Sequence, residues 1–356
     1  MQRKLDFWKG KRVFISGHTG FKGSWLSILL KNLGSDVYGY ALEPIYQTSL
    51  YNEVKLEEKI TSTIGNLLDY SSLKNSIESC RPDIIFHMAA QPLVRESYKN
   101  PRDTLQTNIL GTANILEAIR EVSSIKSFVN ITTDKCYKNE EIGLPFKEDD
   151  PLGGKDPYSA SKACSEIVTS SYRESFFQNS SCKIATARAG NVIGGGDWSD
   201  DRLIPDIVKS LNIPENPIIR SPGSIRPWQH VLDPLFGYLL LAQNLYQNNG
   251  YDSSWNFGPN EEGFINVSTM ASKFVQHWDF KGSIEHLEDS SNPYESKILK
   301  LDISKADTKL NWQPAFDINE TIKITSLWYK NFYKENSNAY DLCLNDISNF
   351  LSKYQK

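Results

Sequence analysis

Short apolar runs alternate with longer amphipathic stretches along the first half of the chain: RVFIS, GSWLSILLKNLG, DVYGYAL, ITSTIG, SLKNSIESC, DIIFHMAA, TLQTNILGTANILEAIREV and SFVNITT follow in order. The short runs are rich in β-formers and nearly continuous in apolar character, as a strand buried on both faces must be. This is β-α-β alternation. Crossovers between parallel strands are right-handed, so the pattern predicts an α/β fold built on a Rossmann-like, doubly wound parallel sheet. A further helix, YSASKACSEIVTSSYRESFF, and a strand, KIATARAG, complete this first domain, residues 1–190.

Beyond it the pattern changes. Residues 191–230 are rich in Gly, Pro and Trp (GGGDW, IPENPIIRSPGSIRPWQH) around one predicted helix, LIPDIVKSL, and read as loops folded over a ligand. The remainder alternates again, with DPLFGYLLLAQNLY, NVSTMASKFVQHW and NETIKITSLWYKNFYK helical and SWNFG and SIEHL extended. Residues 191–356 therefore form a smaller, substrate-binding lobe, with the chain crossing back between lobes near 228–258. The stretch after about residue 317 carries no readable chemistry.

Composition narrows the function classes. The 356 residues are 39% hydrophobic and 23% charged, with a formal net charge of -4, so no basic field exists to draw in nucleic acid or an anionic membrane. The five cysteines are scattered, without a CxxC pair or a histidine at metal-ligand spacing, which fits a reducing cytoplasm and no metal site. MQRKLDFWKGKRVF lacks the apolar run of a signal peptide, and no stretch is long and apolar enough to span a membrane. The expectation is a soluble cytoplasmic protein.

The first strand runs into Ser16-Gly17-His18-Thr19-Gly20-Phe21-Lys22-Gly23, a GxxGxxG loop that opens a helix. Small residues permit the tight turn and close approach of backbone to a pyrophosphate, and the helix N-terminus favours its charge. About twenty residues on, the second strand ends at Glu43. That carboxylate either accepts hydrogen bonds from an adenosine ribose or is a solvated loop acid; with no arginine pair to receive a 2'-phosphate, NAD is favoured over NADP.

Three YxxxK matches occur, Tyr51/Lys55, Tyr70/Lys74 and Tyr158/Lys162. Only Tyr158 starts a long helix after the crossover from a strand ending at Thr132-Thr133, with Lys162 on the same helical face. A lysine ammonium beside a phenol favours the phenolate, which can take a hydroxyl proton while hydride leaves the same carbon; Thr133 can hydrogen-bond that oxygen. Next to it stand Asp134 and Lys135, at the carboxyl end of a strand where doubly wound sheets place ligands. They are either an ion pair closing the strand or an acid and a base flanking an oxidised carbon, set to remove a proton and protonate a leaving hydroxide.

GHTGFKGSWL, HMAAQPLVRESY, NILGT, TTDKCY, YSASKACSE, RAGNVIGGGDW, DRLIPD, IRPWQHVLDP and WNFGP together closely resemble the nucleotide-sugar 4,6-dehydratases of the extended short-chain dehydrogenase/reductase group, in the form that acts on CDP-glucose. The likeness spans about residues 8–315. It implies NAD as cofactor, a CDP-4-keto-6-deoxyglucose product destined for dideoxysugars of bacterial surface polysaccharide such as O-antigen lipopolysaccharide, and a homodimer or homotetramer paired through the helix bearing Tyr158. It implies cofactor contacts at Gly17, His18, Thr19, Gly20, Phe21, Lys22, Gly23, Glu43, Asn66, Leu67, Ala89, Ala90, Tyr158 and Lys162. Substrate contacts are implied at Gln91, Arg95, Asn191, Arg202, Leu203, Arg220 and Arg226, the arginines suiting phosphate oxygens. Trp198 and Trp228 are either aromatic walls of the nucleotide pocket or core anchors. Relatives acting on dTDP-glucose carry Thr-Asp-Glu where this chain has Thr133-Asp134-Lys135, so lysine replaces glutamate as the carbon-5 base. The alternatives are a dehydratase of another nucleotide sugar, a 4-epimerase, for which the Asp134-Lys135 pair has no use, and a dinucleotide-sensing regulator, which would not need Tyr158 and Lys162.

Overall fold

The computed structural model describes residues 5–213, 215–278, 280–287 and 294–354. Its centre is a seven-stranded parallel sheet of β1 (Arg12–Ser16), β2 (Asp36–Ala41), β3 (Thr61–Ile64), β4 (Ile84–His87), β5 (Ser127–Ile131), β6 (Lys183–Ala189) and β7 (Ser254–Phe257), in the order β7-β6-β5-β4-β1-β2-β3. The Rossmann-like, doubly wound reading is correct. Winding reverses between β1 and β4, which opens a crevice at their carboxyl ends, the place where such sheets bind ligands.

Alternation along each strand explains the continuous apolar runs. In β1, Val13 and Ile15 pack on one side with α1 (Phe21–Asn32), while Phe14 packs on the other with α2 (Tyr70–Cys80) and α3 (Gly111–Ile119). Both faces are covered, so neither set of side chains can be polar. The segment predicted as one helix from Thr104 onward runs from Pro101 to Ile119 with a single π-wound turn at Gln106–Leu110. That turn presents Asn108, whose side chain bonds Gln91 N and O and donates to Ser161 Oγ at 2.8 Å. It ties the loop after β4 to α4 (Pro157–Tyr172).

The helix α4 begins where its sequence says it should. Pro157 occupies the first turn, and the Asp156 carboxylate caps the end, accepting from Ser159 N at 2.8 Å. The second half of the chain contributes α5 (Leu203–Asn212), α6 (Leu232–Gln247), α7 (Val267–Gln276), α8 (Ile318–Lys334) and α9 (Ala339–Tyr354). Three two-stranded pairings join residues 192–193 to 229–230, 225–227 to 264–266, and 218–220 to 285–287. From this half, α6 and β7 return to the main sheet. The terminal α9, silent in chemistry, packs Phe350 against Phe236 and Phe316 with ring centroids 5.6 and 5.4 Å apart.

Candidate active site

A cleft of about 1250 Å³ lies over the carboxyl ends of the strands, between the sheet and the loops of the second half. Its floor is the glycine loop after β1. Gly17 has φ +85°, and a Cβ there would come within 2.6 Å of Ala89 N. A Cβ on Gly23 would meet Gly17 O at 2.0 Å, which leaves no room between the loop and the first turn of α1. Thr19 Oγ1 donates to Leu42 O at 2.8 Å and fastens the loop to the end of β2. Thr19, Gly20, Phe21, Lys22 and Gly23 all line the cleft, as do Glu43, Asn66, Leu67, Ala89 and Ala90 beyond the neighbouring strands. This cradle of close-packed backbone at a helix N-terminus suits a dinucleotide pyrophosphate.

His18 is placed differently from the rest of the loop. Its ring packs beneath Gly39, where a Cβ would lie 2.3 Å from it, and its Nε2 pairs with Ser62 Oγ at 2.7 Å. Burial lowers its pKa to about 4, so the imidazole is neutral and holds β2 and β3 to the loop rather than facing the cleft. Glycine is required at Gly23 because a Cβ there would meet Gly17 O at 2.0 Å. Gly23→Ala is expected to cost about 1–3 kcal/mol by forcing backbone on backbone. The loss would be read as a lower melting temperature together with loss of the melting shift on adding NAD.

Thr133 and Lys135, from the turn after β5, and Tyr158 and Lys162, from α4, line the same cleft. The Thr133 hydroxyl lies within hydrogen-bonding reach of the Tyr158 phenol and also donates to Asp134 Oδ1 at 2.9 Å. Lys135 Nζ is 3.8 Å from the same Oδ1, so the ion pair expected of a strand-closing Asp-Lys couple is present but long. Asp134 sits behind Thr133, 1% exposed and outside the cleft lining, and its Oδ2 is buried with no hydrogen-bond partner among the described residues.

Lys162 Nζ donates to Ile131 O at 3.1 Å. Burial lowers its pKa to about 8, against the opposing pull of the Glu166 carboxylate and Cys136. The Tyr158 phenol is pushed up by burial and by the Asp134 charge, while the Thr133 hydrogen bond and Arg202 work the other way. Lys22 is lowered to about 7 by burial and then by the charges of Lys162 and Arg202, and its Nζ donates to Tyr238 OH at 3.0 Å. The site thus holds two lysines whose protons are loosely bound near neutral pH.

The remaining wall carries the arginines. Arg95 stands 3.8 Å from Asp201, Arg202 Nη1 donates to Asp197 Oδ2 at 2.8 Å, and Arg220 donates to Asp201 Oδ1 at 2.6 Å and to Asp206 Oδ2 at 3.1 Å. Arg226 is buried, donates to Ile225 O and Lys297 O, and lies 3.8 Å from Glu295. Leu203 and Asn191 also line the cleft, and Asn191 Oδ1 is buried with no hydrogen-bond partner among the described residues. Gln91 does not line it. Its amide is folded onto Leu93 and Thr104 and shapes the loop after β4 instead. Trp198 and Trp228 reach the cleft wall yet are anchored in the core, Trp198 donating to Tyr333 OH at 2.8 Å and Trp228 to Ile265 O at 3.0 Å.

The geometry has counterparts among known proteins. A family model described as GDP-mannose 4,6 dehydratase matches residues 14–325. The chain belongs to this family. A CDP-glucose 4,6-dehydratase of Salmonella typhimurium is 48% identical over 91% of this chain and 92% of its own length. Among solved structures, UDP-glucose 4-epimerase of Thermotoga maritima with UDP-glucose superposes with a TM-score of 0.79 at 20% identity, covering 91% of this chain and 100% of that one. The dTDP-glucose 4,6-dehydratase of Bacillus anthracis in complex with NAD gives 0.75 at 19%, covering 90% and 97%. These two likenesses establish the fold.

Within this member of the GDP-mannose 4,6 dehydratase family, the sequence motifs did not point to the acids facing the arginines. Asp197, Asp201 and Asp206 fall inside the motif segments GGGDW and DRLIPD, which flagged their neighbours rather than these acids, while Glu295 lies far along the chain in neither. Tyr294 also reaches the cleft and donates to Glu141 Oε1 at 2.9 Å. Its neighbours Asn292 and Pro293 lie outside the described residues. Among the described residues no cluster of three or more His, Cys, Asp or Glu is placed to hold a metal, and no helix is long and apolar enough to cross a membrane.

Proposed function

We propose that this protein is an NAD-dependent lyase that converts CDP-glucose to CDP-4-keto-6-deoxyglucose and water. The observation that carries the reading is the Thr133, Lys135, Tyr158 and Lys162 wall facing the glycine cradle across one cleft. Its likeness to the Salmonella typhimurium enzyme over nearly the whole chain supports the nucleotide and the reaction. Oxidation needs a base for a hydroxyl proton, and elimination needs a second base and an acid within reach of the same sugar. An epimerase has no use for the second pair.

NAD fits the residues present: Gly17, Thr19, Gly20, Phe21, Lys22 and Gly23 would hold its pyrophosphate, Glu43, Asn66 and Leu67 its adenosine side, and Ala89, Ala90, Tyr158 and Lys162 its nicotinamide side. Bound there, it supplies a hydride acceptor at carbon 4 and a hydride donor at carbon 6. Tyr158 takes the proton of the 4-hydroxyl while Thr133 holds that oxygen. Lys162, cationic below about pH 8, stabilises the phenolate. Lys135 removes the proton at carbon 5, made acidic by the 4-ketone; Asp134, buried behind Thr133 and outside the cleft lining, would in its protonated form reach the hydroxide leaving carbon 6 only through the Thr133 hydroxyl that bonds its Oδ1. His18 and Gln91 serve these steps indirectly, through the glycine loop and the loop after β4. Asn191 and the arginines Arg95, Arg202 and Arg226 bind the nucleotide diphosphate, while Arg220 and Leu203 contact the nucleotide beyond it.

The exposed apolar side chains Leu105 and Leu110 on the 101–110 segment, Ile167 on α4 and Phe176 on the π-wound turn Arg173–Phe177 that follows it support a homodimer or homotetramer paired through these helices. A cytoplasmic place early in dideoxysugar synthesis for bacterial surface polysaccharide follows from the reading. Incubation with NAD and, separately, CDP-glucose, dTDP-glucose, GDP-mannose and UDP-N-acetylglucosamine tests it, with product mass as readout. Loss of water from CDP-glucose is expected. Loss from another sugar alone would overturn the cytidine assignment, and loss from none would return the epimerase and sensor readings.

A further inference from the structure

The cleft has an arm that the chemistry above leaves unexplained. Part of its lining comes from Leu203, Ile218 and Val267, whose elements α5, the strand 218–220 and α7 pack on one another, and from the side chains of Asp206 and Arg220 on the same elements. Apolar walls of this kind accept the faces of a planar ring, and the polar pair stands where the edge of such a ring would be read. Asp206 lies in the first turn of α5 and receives Arg220 Nη2 on Oδ2 at 3.1 Å. Among the described residues no other hydrogen bond engages this carboxylate. Its side chain is 33% exposed and that of Arg220 27%, so both face the cleft. Arg220 is held from behind by Asp201 at 2.6 Å, which fixes the direction of its fork.

Resting on the proposed reaction, we infer that Asp206 and Arg220 together read the pyrimidine base of the substrate and select cytosine over uracil and thymine. Cytosine presents a 4-amino donor beside the N3 and O2 acceptors, so a carboxylate and a guanidinium side by side match it in both positions. Uracil and thymine present a 4-carbonyl acceptor beside an N3–H donor. Asp206 would then face an oxygen lone pair, Arg220 an N–H, and both pairs of groups would be left unsatisfied in a partly dry site. Burial raises the Asp206 pKa only to about 6, with the Arg220 charge opposing the rise, so the acceptor form prevails at neutral pH. An amide at the same position can turn either its oxygen or its NH2 toward the base and loses the distinction.

CDP and UDP titrated calorimetrically into the NAD-saturated protein test this without turnover. The wild-type chain is expected to bind CDP about 10–100-fold more tightly than UDP, the discrimination of a good paired contact. Asp206→Asn should bring that ratio near unity, mainly by weakening CDP, and should raise KM for CDP-glucose with kcat little changed. A carboxylate that merely braced Arg220 would lower both affinities together and keep the ratio. An unchanged ratio in Asp206→Asn, or no preference in the wild type, overturns the inference. Should Asp206→Asn fail to fold, Arg220→Met removes the donor to N3 and gives the same readout; a retained CDP preference there overturns it equally. A clear CDP preference without dehydration of CDP-glucose would instead fail the proposed reaction and leave the base reader standing.

Discussion

Tyr158→Phe is expected to lower kcat for CDP-glucose by about 10²–10⁴-fold, the usual worth of a positioned general base. The change deletes one oxygen and keeps the ring that is buried at the start of α4. Thr133 would not be stranded, because its hydroxyl already donates to Asp134 Oδ1. The Tyr158 backbone N, bonded to Ser97 Oγ at 3.1 Å, is untouched. Melting temperature and the melting shift with NAD should therefore stay near those of the wild type while turnover collapses. Lys135→Met separates the two halves of the reaction. If Lys135 serves carbon 5, that variant loses exchange of solvent deuterium into carbon 5 of the product along with turnover. Full turnover in Lys135→Met together with a dead Tyr158→Phe would remove lysine from the mechanism and leave the oxidation step as assigned. Full turnover in Tyr158→Phe would refute the central assignment.

The largest stability effect is expected beneath the site, at Glu166. Its carboxylate accepts from Arg188 Nη2 at 2.8 Å, from Thr186 Oγ1 at 2.7 Å and from the Thr132 hydroxyl, and both charged side chains are at most 3% exposed. Glu166→Gln leaves the Arg188 guanidinium buried without its counter-charge, a loss of about 3–5 kcal/mol measurable by urea unfolding. A double variant, Glu166→Gln with Arg188→Met, should recover much of it. Little change in the single variant would mean water reaches Arg188. Burial alone would raise the carboxyl pKa of Glu166, but Arg188 and the two hydroxyls outweigh it, and the net shift is downward. The unfolded chain then holds a proton that the folded one does not as pH falls below the ordinary 4.5. The Glu166 contribution is whole above that pH and is lost as pH drops through the folded value. Glu166 also holds the Lys162 pKa up, so Glu166→Gln should move the alkaline limb of the pH-rate profile to lower pH.

Most of the central sheet was legible in the chain, because its determinants are local and periodic. Continuous apolar runs such as DIIFHMAA can be satisfied only by strands covered on both faces, and the Asp156-Pro157 start of α4 announces itself through capping chemistry. The glycine loop was legible for a similar reason: Gly17 and Gly23 are demanded by backbone contacts within the loop and with the adjacent strand end. His18 and Gln91 were less so. Both stand inside motifs whose neighbours face the cleft, yet His18 turns under Gly39 and Gln91 folds onto Leu93 and Thr104. A motif specifies which residues are adjacent in sequence, and only packing settles which way each side chain turns.

The same distinction divides the whole protein. By itself the sequence determined the α/β alternation, the cradle after β1 and the Tyr158-Lys162 pair, since each depends on residues a turn or a strand apart. Tertiary structure alone decided that Asp134 sits buried behind Thr133, that Trp198 and Trp228 serve both core and cleft, and that Arg220 meets Asp201 and Asp206. Those arrangements join segments distant along the chain, where the balance between desolvation and pairing depends on neighbours that no local pattern specifies.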